Sequence, residues 1–456
     1  MKNNSIKYFI ILLLILVSCY GPAPEEKKQV VVRFWHPFSV DSSIGRTLMS
    51  MVSEFNKAHP GWVIKPEGMG SYDILKQKLI ASIIAGNQPQ ISLAYESWIN
   101  KFYKADKIVI FDEYVKNKKE LRQIKNDLFP VFIKSCSMDG KLVSLPFNKS
   151  TPVLYYNKDM FKKYGISRAP RDWAEFLKIA KKLTMDKNTD GQVDVYGIIA
   201  RANSTDFVDF LKQNNGSILS GDGKKVLFNR TEGIEALKFM LGWKFLYGIA
   251  DFYSSGNPFE YQNDFTAGKC AMIIGTCVSR FYMKYSLTFR LGTAPLFGNK
   301  KKAVLIYGTN IVLFEKATDE QKKAAWEFIK WFISPENTAR WSKNTAYLPV
   351  RKSALNSKFL QDEFRTDPEL KSSILQLKDG FLEPSEDSWL LGRQYLSDAL
   401  NDVLIDSQIE KAYKEYLKAG DTKDKKKLKS DLERIMEERI KYHLDKAAGK
   451  MERWVL

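Results

Sequence analysis

VVVRFWHPFSVDSSIGRTLMSMVSEFNKAHPGWVIKPEGMGSYDILKQKLIASIIAGNQPQISLAY, residues 30–95, alternates the signals of strand and helix. Val30 to Phe34 is β-branched and aromatic, and reads as a strand. In 43–58 the apolar residues Ile44, Leu48, Met51, Val52 and Phe55 recur at helical spacing, and His59-Pro60-Gly61 stops that helix. Trp62 to Pro66 is a second strand. Tyr72 to Ala85 is a second helix, ended by Gly86-Asn87, and Ile91 to Tyr95 is a third strand. Strand, helix, strand, helix, strand predicts an α/β domain on a parallel sheet.

N-terminal to this block, MKNNSIKYFIILLLILVSCYG (1–21) has a basic head, Lys2 and Lys7, then an unbroken apolar run from Tyr8 to Val17. The run is too short to span a bilayer core, which takes about 20 apolar residues. Its proportions are those of a secretory leader. Leu16-Val17-Ser18-Cys19 at its end looks like a bacterial lipobox, with cleavage before Cys19 and acylation of that cysteine. Residues 1–18 are then a signal peptide, and 19–29, rich in Pro and charge, a tether.

C-terminal to the block the same kind of pattern continues. Strands are predicted at 153–156, 271–274 and 311–314, and helices at 159–164, 173–183, 234–245 and 320–333, the last stopped by Ser334-Pro335. From Ile409 onward Lys, Glu and Leu at helical spacing predict two surface helices. The 456 residues carry a net charge of +18. No basic stripe interleaves with stacking aromatics and no nucleic-acid motif is present, so the charge reads as a Lys-rich surface rather than a nucleic-acid interface. Cys136, Cys270 and Cys277 read as small buried hydrophobes, with a Cys270–Cys277 disulfide left open. Three scattered histidines speak against a His-based metal or catalytic centre. Asp186 to Asp194 starts like a calcium loop, but Gly197 stands where the bidentate Glu belongs, so a polar turn is the simpler reading.

Several segments place chemically useful residues at strand ends or helix starts. Trp35 and His36 follow the first strand. Gly68 to Tyr72 is a glycine-bearing helix entry, and Glu96 sits just past the third strand. Pro146 to Asp159 packs Asn148, Ser150 and Thr151 between two prolines before a strand, and Tyr347 lies in a turn. PFNKSTPVLYYNKDMFKKYG (146–165) and YLPVRKSA (347–354) resemble the bacterial extracellular solute-binding proteins of family 1, most closely the members that bind sn-glycerol 3-phosphate. FWHPF, GMGSYDILKQKLIASIIAGNQPQI, AYES, GKCAM and SPENTARW extend the resemblance over residues 30 to about 410.

The resemblance implies a two-lobe periplasmic-binding-protein-like α/β fold of type II, with the ligand cleft at the hinge. Residues 30–140 plus about 305–345 would form one lobe, and 141–304 plus about 346–456 the other. It implies a non-catalytic protein without cofactor or metal. This protein would capture a polyol phosphate or a sugar for the permease subunits of an ABC importer, tethered to the membrane at the cell envelope. Ligand contacts are implied at Tyr72, Glu96, Ser150, Thr276 (a serine in the family), Gly308 and Tyr347. The family's phosphate-binding arginine aligns with Asp398, with Arg393 nearby as a substitute, and its Trp-rich loop falls on residues 200–210, which contain no Trp. Both departures leave a neutral oligosaccharide open as ligand. Of the rival classes, a glycosidase needs a second carboxylate beside Glu96, for which Glu260 and Asp264 are the candidates. A surface adhesin would use the positive charge alone.

Overall fold

The computed structural model describes residues 29–253, 259–419 and 424–455. The leader, Cys19 and most of the tether lie outside the described residues. In chain order the elements that matter for function begin with β1 (Val30–His36), α1 (Ser43–Ala58), β2 (Trp62–Gly68), α2 (Tyr72–Ile84), β3 (Ile91–Ala94) and α3 (Glu96–Lys104). Next come β4 (Leu145–Pro146), β5 (Pro152–Asn157), β6 (Tyr196–Arg201), α4 (Ser204–Gln213), β7 (Ala250–Tyr253), β8 (Cys270–Thr276) and β9 (Leu291–Pro295). The chain ends with β10 (Asn310–Leu313), α5 (Asp319–Phe332), α6 (Pro335–Thr345), α7 (Asp387–Leu404), α8 (Ser407–Lys418) and α9 (Lys425–Glu452).

Two five-stranded sheets result, ordered β2-β1-β3-β10-β4 and β9-β5-β8-β6-β7. β1 runs parallel to β2 and β3, as the alternating pattern predicts. The sheet as a whole is mixed, which corrects the parallel reading: β10, far along the chain, inserts antiparallel to β3 and to β4. That late strand returning antiparallel beside the first three gives the two-lobe fold its type II topology. Each sheet has its own apolar core. The first gathers Phe34, Leu48, Phe55, Leu93, Phe147 and Phe332. The second gathers Phe176, Phe210, Trp243, Met272, Leu396 and Leu444.

Local chemistry explains most elements. The apolar face of α1 is buried as its spacing predicts, and Ser42 caps its first turn by accepting from Gly45 N–H. Three departures have physical causes. Ser334-Pro335 does not merely end α5: Ser334 accepts from Asn337 N–H and Pro335 takes the first turn of α6, where its missing N–H costs nothing. Trp35 and His36 lie inside β1 rather than after it, and both are buried. The tail helices are not simply surface elements, because Leu432, Met436, Ile440, Leu444 and Met451 of α9 are fully buried in the second core.

The chain passes between the cores through Phe147–Thr151 and back through 304–309. These crossings pair with each other: Ser150 N–H donates to Tyr307 O (3.1 Å) and Tyr307 N–H to Ser150 O (2.8 Å). Leu348 N–H, just past α6, adds a bond to Lys149 O (2.7 Å). Gly308 sits at φ +97°, and a Cβ there would stand 2.0 Å from Asn148 O, so only glycine fits.

Candidate functional site

The crossing at 147–151 gathers the site. At the end of β3 the chain turns into α3, whose first residue is Glu96. The carboxylate of Glu96 meets Lys149 Nζ at 2.7 Å. The Lys149 side chain is 0% exposed, and that of Glu96 21%. An ammonium sealed from water needs such a partner, because an unpaired charge in the interior is prohibitively costly. Next to Lys149, Asn148 Nδ2 donates to the Tyr72 hydroxyl at 2.8 Å, while its Oδ1 accepts from Thr309 N–H at 3.2 Å. Ser71 caps α2 and so presents Tyr72 at its first position. The Tyr72 ring lies 4.9 Å from that of Tyr95, centroid to centroid.

Tyr347 completes the cluster. Its ring is parallel to Trp341 (6.0 Å, 2°), and its hydroxyl is a hydrogen-bond neighbour of Asn148 and Tyr72. Ala346, in the left-handed region at φ 61°, ends α6 and turns Tyr347 inward. Burial holds the phenols of Tyr72, Tyr95 and Tyr347 above their ordinary range, so all three keep their protons as donors.

Around this cluster the two lobes face each other across a crevice. One stretch, about 380 Å3, has Tyr72, Tyr95 and Trp98 on one wall and Asn203, Thr205 and Arg393 on the other. An adjoining stretch, about 450 Å3, holds Glu96, Lys134, Lys212 and Glu383. A third, about 210 Å3, opens beside Tyr347. Of the seven residues singled out in the sequence, Tyr72, Glu96, Tyr347 and Arg393 line these stretches, and Ser150, Thr276 and Gly308 line none of the three. Ser150 and Gly308 are in the paired crossings, Thr276 ends β8 opposite Pro152, and Arg393 projects from α7. Arg393 is about one-third exposed and ion-paired with Glu383 at 3.3 Å. Asp398, at the family's arginine position, is exposed and accepts from Gln394. Gln394 lines the same stretch of crevice as Arg393, whereas Asp398 itself is not among the lining residues.

Other sequence candidates fall elsewhere. Trp35 Nε1 donates to Glu67 (2.7 Å), and His36 is buried between Phe34 and Phe38 with neither ring nitrogen bonded. Burial lowers the His36 pKa to about 4. Neither residue reaches the crevice. Asp186 to Asp194 forms consecutive Asx turns: Asp186 accepts from Thr189 and Gly191 N–H, and Asp194 from Lys187 N–H. Its carboxylates are thus engaged by backbone. Cys136, Cys270 and Cys277 are free and buried, which settles the open pairing against a disulfide. Asp264 is bound by Lys269 (2.7 Å) and the Tyr253 hydroxyl, and Glu260 opens a helix of its own. Neither Glu260 nor Asp264 lines the stretch of crevice that holds Glu96; the direct partner of Glu96 is the Lys149 ammonium, and the carboxyl groups sharing its stretch are Glu383 and Glu386.

Sequence reasoning passed over Lys149 as a partner, although it stood inside the motif. It also passed over Asn203 and Thr205, which fill the wall where the family's Trp-rich loop falls, and Glu383 beside Arg393. Among the described residues no helix is long and apolar enough to cross a membrane.

Comparison with known proteins agrees with this architecture. A family model described as "Bacterial extracellular solute-binding protein" matches residues 50–372. The sn-glycerol-3-phosphate-binding periplasmic protein UgpB of Escherichia coli (strain K12) is 28% identical over 362 residues, 76% of this chain and 80% of that protein. UgpB from Mycobacterium tuberculosis, solved in complex with glycerophosphocholine, superposes with a TM-score of 0.69 at 21% identity, covering 93% of this chain and 99% of its own. The sugar-binding protein MalE from Xanthomonas citri gives 0.72 at 21% identity, covering 90% and 98%. The substrate-binding protein Lmo0181 from Listeria monocytogenes, in complex with cycloalternan, gives 0.69 at 23%, covering 89% and 98%. The family model spans most of the chain, the E. coli relative covers 76% of it and the fold neighbours nearly its whole length, and this chain belongs to the bacterial extracellular solute-binding proteins.

Proposed function

We propose that this chain is the substrate-binding lipoprotein of an ABC importer, without catalytic activity, and that it captures a hydroxylated small molecule, a polyol phosphate such as sn-glycerol 3-phosphate or a glycerophosphodiester. The observation that carries the reading is the Tyr72–Asn148–Tyr347 cluster beside the Glu96–Lys149 pair, set at the crossing between two lobes. Phenol and amide donors and a carboxylate acceptor suit ligand hydroxyls. A site built for hydroxyls rejects analogues lacking them, because its own groups are then left unpaired. Contacts from both walls favour the closed form by the ligand's differential affinity. The name of the E. coli relative supports the polyol phosphate. Anchoring through Cys19 rests on the Leu16-Val17-Ser18-Cys19 pattern.

A neutral oligosaccharide is the second reading, favoured by Asp398 at the family's arginine position and by the sugar-binding fold neighbours. A thermal-shift screen of the leaderless protein separates the two. Glycerol 3-phosphate or glycerophosphocholine is expected to raise the melting temperature. A rise with maltose or maltotriose alone would replace the first reading by the second, and turnover of a glycoside or phosphodiester would end the non-catalytic view.

A further inference from the structure

The cavity of about 210 Å3 beside Tyr347 has room for a group the size of several water molecules. Two residues of its wall each carry a polar atom that the protein leaves unbonded and buried. Thr293 is 6% exposed, and its Oγ1 has no partner. The guanidinium of Arg280 reaches Asp367 through Nη2, while its buried Nη1 bonds to nothing. Buried donors in this condition are rare, and each costs free energy until something accepts from it. At the same cavity Lys284 lies over the rings of Phe281 and Tyr285, with no carboxylate paired to it among the described residues. Lys343 and Glu363 offset each other at 3.3 Å.

The other end of the crevice is electrically different. Arg393 is held by Glu383, whose Oε1 is buried and unbonded. Glu96 lines the same stretch as Glu383, and Asp73 the same stretch as Arg393. Lys134 and Lys212 share the stretch of Glu96, Glu383 and Glu386, and Lys76 that of Asp73 and Arg393, so an anion placed there meets carboxylates as well as cations, at short range where repulsion is weakly screened. At the Tyr347 end the charged residues of the wall are Arg280, Lys284, Lys343 and Glu363, an excess of cations.

We propose that this cavity is the anion pocket of the site: it takes the phosphate or carboxylate end of the ligand on Arg280, Thr293 and Lys284, while the hydroxyl-bearing end lies toward Glu96 and Arg393. The proposal rests on the reading of the chain as a receptor for a polyol carrying an anionic group. It moves charge recognition from helix α7 to the turn after β8 and to strand β9. Tyr347 joins the two ends, since its ring lines the cavity and its hydroxyl belongs to the Asn148 cluster.

The test is calorimetric titration of the leaderless protein and its T293V, K284Q, K284R and R393Q variants with glycerol 3-phosphate, glycerophosphocholine, D-glycerate and glycerol, at low and high salt. T293V and K284Q are expected to weaken the charged probes about tenfold, as loss of a charge-assisted contact does. K284Q is expected to flatten the salt dependence. K284R restores both, and the ligand-free melting temperature of K284Q matches that of the parent. R393Q is expected to weaken all glycerol-bearing probes alike. If charged probes bind T293V and K284Q with parental affinity and lose it in R393Q, the anion sits on α7 and the proposal is overturned while the functional reading stands. If the parent binds none of the charged probes, the functional reading falls and the proposal with it.

Discussion

At the scale of single residues, the Glu96–Lys149 pair sets the terms of the site. Lys149 has no route to water, so truncating its partner strands a charge. Removing one member of a buried pair typically costs about 3–5 kcal/mol, whereas replacing both by apolar groups is often neutral. Glu96→Ala is therefore expected to lower stability by roughly 3 kcal/mol, the low end of that range, since the carboxylate is partly hydrated. Lys149→Met should cost less, because Glu96 can turn to solvent. The double variant should recover much of the loss. Urea denaturation of all four proteins checks this, and additive losses would mean the two residues are not coupled. A binding defect in E96A must accordingly be read against its lowered stability. His36 makes a second prediction. The unfolded chain takes up a proton near pH 6.5, but the folded chain does so only near 4. Between those values the unfolded state binds more protons, so stability falls as pH drops through the window, by about 3 kcal/mol in full. His36→Leu should show a shallower loss between pH 7 and 5 than the parent, whatever its stability at neutrality. Equal slopes would place the acid sensitivity elsewhere.

At the scale of elements, α9 decides whether the second lobe is complete. It fully buries Leu432, Met436, Ile440, Leu444 and Met451. At about 1.5–3 kcal/mol for each fully buried aliphatic side chain, their loss rivals the 5–15 kcal/mol that holds a typical domain folded. A chain ending at Lys418 should show no sharp urea transition for its second core. An unchanged midpoint by circular dichroism would show that this helix stands apart from it. Elements whose signals are local were legible in advance: the periodicity of α1, the β-branched run of β1 and the stop at His59. α6 was not, because Ser334-Pro335 reads equally as the end of one helix and the start of the next, and only the path of the chain decides. β10 was legible as a strand but not as an antiparallel insert, since sheet order is set by contacts more than 200 residues apart in sequence.

At the scale of the whole molecule, the crevice exists because two independent cores are joined by paired crossings. Its residues were legible only in part. Tyr72, Glu96 and Tyr347 came through the resemblance, because helix starts and strand ends are where such folds place contacts. Lys149 as counter-ion, Asn203 and Thr205 as a wall and Glu383 beside Arg393 depend on which distant segments meet. No spacing within the chain encodes that. One feature of the cores bears on how lobe motion can be observed. Cys136 and Cys270 are sealed inside, Cys277 is 8% exposed at the wall of the cavity beside Tyr347, and burial pushes the Cys136 and Cys277 thiols up to about 11 and 12 and that of Cys270 higher still. Their thiolate fraction at neutral pH is negligible, so maleimide reagents leave them alone. A chain starting at Gln29 thus accepts a fluorophore on one engineered surface cysteine per lobe with Cys136, Cys270 and Cys277 left in place, and energy transfer between the dyes then follows opening and closing in real time.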